Sequence, residues 1–242
     1  MRRIADLLLV ATVLGLLLVS AGCAKKSEAG LEAKTAAVSG GGNAAKGTSS
    51  APGAAIQLTP TASASDPLHP LVEIQTSWGN ITVELDASQA AMTVRNFLEY
   101  VDSGHYDQTL FHQVLKDYAI MGGAYAPASQ PQGKPLEKKT RAPIYNEAKK
   151  CGLKNTAGTI AMVRKPDVTD SATCQFFINV TDNPNLDYKG PNPEEYGYCP
   201  FGKVTSGMDV VRKIAEVEVT DTNEFERIPK QNVIIQSIRR VR

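Results

Sequence analysis

Two stretches of the chain set aromatic rings beside side-chain amides. They are Phe111-His112-Gln113-Val114-Leu115 and Gln175-Phe176-Phe177-Ile178-Asn179-Val180, with Gly122-Gly123 between them. Rings offer apolar surface and amides offer neutral hydrogen bonds. The chemistry open to them is gripping a ligand and donating to it, not bond-making attack. If each stretch is a strand, alternate residues share a face. His112 then points away from the face of Phe111 and Gln113, as a packing residue rather than a base. His69 and His105 lie in loop-like sequence, and three histidines with dispersed cysteines give no metal-ligand spacing. Gly122-Gly123 reads as a close-packing or turn feature, not a phosphate loop. Ser171, beside Ala172 and Thr173, has no triad partner pattern. Taken singly, Phe111, Phe177 and Leu186 read as core residues.

The surrounding pattern is rich in short strands. Leu71–Thr76 and Ile81–Leu85 alternate apolar and polar residues around Gly79-Asn80, which predicts a hairpin turning at that dipeptide. Val94, Phe97, Leu98 and Val101 recur at helical spacing, and Gly104 ends that helix. Apolar segments at 110–115, 119–121, 159–163, 176–180 and 201–204 are broken by Gly, Pro and Asn, as in a closed sheet. Val210, Val211 and Ile214 mark a second short helix with Ser206 as its cap. Val233–Ile238 is a last strand. Pattern alone gives a β-rich single domain.

That domain is expected at 68–242, after a signal segment at 1–22 and a tether at 23–67. Arg2 and Arg3 precede an apolar run from Leu7 to Val19. The run is short for a membrane span, which needs about 20 residues. Small residues then lead into Cys23, which resembles a bacterial lipoprotein signal with lipidation at Cys23; an ordinary signal peptide cut nearby and a permanent anchor are the alternatives. Residues 23–67 are Ala, Gly, Ser and Thr with scattered charges and cannot bury enough surface to order. A coil of about 45 such residues spans roughly 35–40 Å. Lys+Arg is 26 and Asp+Glu 25, a net charge of +1, so no strong field recruits nucleic acid. Arg239-Arg240-Val241-Arg242 reads as a solvated strand end. Beyond Cys23, the cysteines are Cys151, Cys174 and Cys199. None forms a Cys-x-x-Cys pair, and one disulfide among them leaves the choice of partners open.

Taken together, in this order and spacing, the two aromatic–amide blocks and Gly122-Gly123 resemble the cyclophilin-type peptidyl-prolyl isomerases. The likeness covers roughly Leu71–Ile238. It is densest from Asn146-Glu147-Ala148 to Met208-Asp209-Val210-Val211, where Gly152-Leu153-Lys154-Asn155-Thr156, Gly158-Thr159-Ile160-Ala161-Met162, Ser171-Ala172-Thr173 and Gly197-Tyr198-Cys199-Pro200-Phe201 are similar to the compact bacterial members. The resemblance implies a mainly β fold, a closed antiparallel eight-stranded barrel capped by two helices, and no cofactor or metal. It implies that Phe111 and Phe177 are motif aromatics, Phe177 being the floor of a proline pocket. Leu186 is implied as an apolar wall, with Tyr118 and Tyr198 in further pocket places. Gln175 is implied to bond the substrate backbone, and Val163 and Arg164 to pair with it. Gln113 stands where the family has an arginine donor, Met121 where a glutamine supports that arginine, Ala119 where a pocket methionine lies, and Asn185 where others carry an aromatic.

The expected function is isomerisation of X–Pro bonds in exported polypeptides, by a monomer held at a membrane through its lipid, and weakened because Gln113 is neutral. The alternatives are a proline-peptide binding module and a chaperone-like scaffold with little or no turnover.

Overall fold

The computed structural model describes residues 66–130 and 133–241. The signal segment, Cys23 and the tether up to Ser65 lie outside the described residues. The described chain begins with a turn in which the Asp66 carboxylate accepts the Leu68 N–H at 2.9 Å. Among the described residues no helix is long and apolar enough to cross a membrane.

Eight strands close a barrel. In chain order these are β1 (Leu71–Thr76), β2 (Gly79–Leu85), β3 (Thr109–Leu115), β4 (Ala119–Gly122), β7 (Thr159–Met162), β8 (Phe176–Asn179), β9 (Pro200–Ser206) and β12 (Val233–Arg240). Around the barrel they run β1-β12-β3-β4-β8-β7-β9-β2, every pair antiparallel. The two short pairs β5 (Tyr125–Ala126) with β6 (Leu136–Glu137) and β10 (Val219–Thr220) with β11 (Ile228–Pro229) lie outside it. These two-residue strands have no readable period, and the sequence does not announce them. Helix α1 (Ala91–Asp102) follows β2, and α2 (Met208–Ala215) follows β9.

The β1–β2 turn corrects the expected hairpin. Thr76 pairs with Gly79, so the chain turns at Ser77-Trp78. The Thr76 hydroxyl donates to the Gly79 carbonyl at 2.6 Å and accepts the Trp78 N–H at 3.0 Å, which places the turn two positions earlier than the Gly-Asn signal. Ser206 is likewise not the cap of α2. It ends β9, and the cap position is Gly207 at φ +89, where a side chain would run into the Asn80 carbonyl.

The interior is filled by rings. Phe97 of α1 lies 5.2 Å from Tyr106, 5.7 Å from Phe176 and 5.1 Å from Phe201, centroid to centroid. Val211 and Ile214 of α2 are fully buried in the same core. Gly104 ends α1 as expected, at φ +66. Its N–H bonds the Val101 carbonyl, and the His105 N–H bonds the Tyr100 carbonyl. The α1 start has no capping side chain of its own. A distant carboxylate serves instead: Glu147 accepts the Thr93 N–H at 2.8 Å, the Thr93 hydroxyl at 2.7 Å and the Met92 N–H at 3.3 Å. Gly122-Gly123 is a close-packing feature. A Cβ on Gly122 would approach the Leu110 carbonyl at 3.0 Å, and one on Gly123 would meet Tyr106 at 2.8 Å with φ at +94. At the C-terminal strand, Arg239 and Arg240 each grip one carboxylate with two bonds, Asp107 and Asp102 respectively.

Strand β3 departs from simple alternation. Phe111 pairs with Gly122 and Gln113 with Met121, so His112 has no partner on β4 and forms a bulge. Phe111 and Val114 enter the barrel core, while Leu115 belongs to a separate cluster on the other face. His112 packs edge-on against Tyr125, 4.8 Å between centroids. Burial pushes its pKa down to about 4. A folded value below the usual 6.5 means the unfolded chain binds the proton more readily between those values. Stability is therefore full above pH 6.5 and falls as pH drops toward 4, by about 3 kcal/mol from this group. Urea unfolding at pH 7 and pH 5 should show less of this loss in His112→Gln than in the wild-type chain. An equal loss in both would assign the pH dependence elsewhere.

Candidate active site

The outer face of the barrel carries a second apolar cluster: Leu115, Ala119, Met121, Ala161, Val163, Phe177 and Leu186, flanked by Tyr118 and Tyr198. Strand register explains its compactness. Ala161 pairs with Phe177, Phe177 with Met121, and Met121 with Gln113. Directly paired residues share a face, so these four form one row across β7, β8, β4 and β3. Their chain neighbours Ile160, Phe176, Ile178, Ile120 and Val114 point the other way, into the core.

Gln113 closes the row. It is 4% exposed, and its amide has no hydrogen-bond partner among the described residues. Gln175 stands two positions before Phe177, half-buried, and its carbonyl accepts the Val163 N–H at 2.9 Å. Phe177 is 2% exposed and meets the Tyr198 ring edge-on at 5.7 Å. Tyr118 sits in the β3–β4 turn, and its hydroxyl accepts from the Asn185 amide at 2.9 Å. Burial raises the pKa of both Tyr118 and Tyr198, so both phenols remain neutral donors.

The structure thus brings together Gln113, Met121, Val163, Phe177, Leu186, Tyr118, Asn185 and Tyr198, with Gln175 beside them. It does not bring Phe111 there. Phe111 is 1% exposed inside the barrel, 6.1 Å from Phe176, because the bulge at His112 breaks the alternation that would have put it on the face of Gln113. The side chain of Arg164 is also committed. It is 4% exposed and donates to the carbonyls of Gly197 (2.8 Å), Lys165 (2.9 Å), Pro166 (2.8 Å) and Pro193 (2.5 Å). Its guanidinium lies 4.9 Å from the Tyr198 ring. Four carbonyls satisfy the buried cation in place of a carboxylate.

A set of buried asparagines holds the site's irregular wall. Asn155 donates through its amide to the carbonyls of Leu186 (3.1 Å) and Tyr198 (3.2 Å), and its N–H meets the Asp187 carboxylate at 2.8 Å. The Asn179 amide donates to Asn155 and Thr159, and the Asn183 amide to Asn179 and to the Tyr118 carbonyl. The residue pattern gave no role to these side chains; Asn155 lies inside a recognised block, but nothing in its spacing marks it as a clamp. Among the described residues no group of three His, Cys, Asp or Glu could hold a metal ion.

Residues 71–240 match the model of the family described as cyclophilin type peptidyl-prolyl cis-trans isomerase. The chain belongs to the cyclophilin family. It is 46% identical over 166 residues to the peptidyl-prolyl cis-trans isomerase cyp18 of Streptomyces antibioticus, covering 69% of this chain and 95% of that one. It is 42% identical over 168 residues to peptidyl-prolyl cis-trans isomerase B of Escherichia coli strain K12, covering 69% and 98%. Its structure is similar to that of a Cryptosporidium parvum cyclophilin crystallised in the presence of the dipeptide Ala-Pro. That match has a TM-score of 0.53 and 26% identity, and covers 71% of this chain and 99% of the other. In this cyclophilin the apolar row and the asparagine clamp stand on one face. Asn155→Ala should lower stability by about 2–3 kcal/mol, from lost bonds and stranded carbonyls, and raise KM for proline peptides more than it lowers kcat. Urea unfolding with steady-state kinetics checks both, and an unchanged KM would remove the clamp from the site.

Proposed function

We propose that this cyclophilin isomerises X–Pro bonds on the outer face bearing Phe177, Leu186 and Gln113, in exported polypeptides, at a reduced rate. The row that ends in the uncommitted Gln113 amide carries the reading. Resonance sets a barrier of about 18–20 kcal/mol to rotation about the peptide bond. Uncatalysed X–Pro bonds turn over in tens to hundreds of seconds. An apolar cluster can hold the proline ring, and the Gln175 amide and the Val163 backbone can fix the flanking chain. As the bond twists, its nitrogen regains a lone pair, and a donor to that nitrogen binds the twisted state more tightly than the planar one.

Gln113 supplies a neutral donor where the family's arginine would supply a charged one. A deficit of about 2 kcal/mol at the twisted state slows the reaction roughly thirtyfold. The second reading, a groove that binds proline segments with little turnover, is favoured by the same Gln113 together with Met121 and Ala119. A protease-coupled assay separates the two readings. Gln113→Arg should raise kcat/KM by roughly tenfold or more, with little change in peptide affinity by calorimetry. Binding without rate enhancement in the wild-type chain selects the module; no gain from the arginine removes the donor argument.

Export and tethering belong to the proposal. Arg2, Arg3, the apolar run to Val19 and the small residues before Cys23 support a lipid at Cys23, with residues 23–67 as the reach. The protein would act as a monomer on unfolded or partly folded chains outside the cytoplasm. Cys23→Ser should move it from the membrane to the soluble fraction and abolish labelling by a fatty-acid analogue. Retention of both would leave the anchor to another segment.

A further inference from the structure

Three thiols lie in the described residues, and two of them face one another. The Cys199 thiol donates to the Cys151 sulfur at 3.4 Å, and both residues are buried. Cys151 belongs to the irregular stretch that follows Glu147, and its N–H bonds the Glu147 carbonyl at 2.9 Å. Cys199 stands between Tyr198 of the site and Pro200, the first residue of β9. Cys174 is apart, in the core beside Tyr106, where burial pushes its thiol up to about 11.

We propose that Cys151 and Cys199 are a disulfide-forming pair, a covalent link between the loop that supplies Glu147 and Asn155 and the wall that carries Tyr198. A disulfide needs sulfurs about 2.05 Å apart, so this pair must close by roughly 1.4 Å. Side-chain rotation in a segment without regular structure supplies that movement. The pair lies 48 positions apart in the chain, so the link closes a long loop. Asn155, four positions beyond Cys151, already holds the Tyr198 carbonyl. The bond would fasten covalently what that amide fastens by hydrogen bonding.

The oxidant is a small-molecule disulfide such as oxidised glutathione. The Cys151 thiol gives up its proton to solvent, and its thiolate attacks one glutathione sulfur, expelling a glutathione thiolate and leaving a mixed disulfide. Cys199 then gives up its proton, and its thiolate attacks the Cys151 sulfur and expels the second glutathione. The two protein thiols lose two electrons in all, and the oxidant becomes two thiols. Cys151 takes the first step because exposed Lys150 and Gly152 flank it. The bond from Cys199 also draws its pKa down, whereas that partner and burial push Cys199 up.

The test uses the full chain equilibrated in mixtures of reduced and oxidised glutathione, trapped by alkylation and mapped by mass spectrometry. The expected result is a cross-linked peptide joining Cys151 to Cys199, with Cys174 alkylated. Reduction should lower Tm by roughly 5–10 °C. That shift should vanish in Cys151→Ser and in Cys199→Ser and persist in Cys174→Ser. Three alkylated thiols at the oxidising end, a stable glutathione adduct on Cys151, or pairing through Cys174 or Cys23 would each overturn the proposal. The peptide map of the wild-type chain decides even where a serine variant fails to fold. None of these readouts depends on isomerase activity or on where the protein resides.

Discussion

One extra residue in one strand decides which side of the barrel can act. With regular alternation β3 would put Phe111, Gln113 and Leu115 on the same face. The bulge at His112 resets the count, so Phe111 and Val114 fill the interior while Gln113 and Leu115 face outward. Without it, either an amide would enter the ring-filled core unpaired or a phenylalanine would leave it. Each would cost several kcal/mol. The row Ala161–Phe177–Met121–Gln113 exists because the shift falls at that point, and the neutral amide at its end sets the character of the site.

The rest of the site is built from irregular chain and one short 3-10 turn, Pro184–Leu186, held by polar groups that the core does not need. Glu147 caps α1 from more than fifty positions away in sequence. Asn155 gathers Leu186, Asp187 and Tyr198, and Arg164 draws together the carbonyls of Gly197, Pro193, Pro166 and Lys165. Such networks are costly when half-satisfied and rigid when complete. Here four of the five N–H donors of Arg164, and both amide hydrogens of Asn155, end on protein acceptors. Tyr198 and Leu186 are therefore fixed with a precision closer to that of strand residues than of loop residues.

Most of the barrel's strands were legible because they are short, apolar and clearly punctuated; their closure into a barrel came from the family resemblance. The first helix was legible too, since Val94, Phe97, Leu98 and Val101 repeat at its period and Gly104 ends it. What escaped was decided by single side-chain bonds or by register. Thr76 moves the first turn off Gly79-Asn80, and Gly207 rather than Ser206 opens α2. The bulge that moves Phe111 inward has no signature in a stretch where every residue is buried. The family resemblance named most of the side chains that the structure gathers on the outer face; Phe111, named with them, lies in the core, because a motif does not say which way a side chain faces. The asparagine and arginine clamps stayed hidden, since their partners are backbone carbonyls that sequence does not display.

Closure of the barrel has a consequence for the company such a protein can keep. Each of the eight strands has a neighbour on both sides. The cylinder thus presents no open row of N–H and C=O groups along a rim. An extended, sticky polypeptide cannot lengthen this sheet by annealing to it, and two copies cannot zip together rim to rim. Any extended peptide that the outer face holds finds no strand edge of the barrel to pair with.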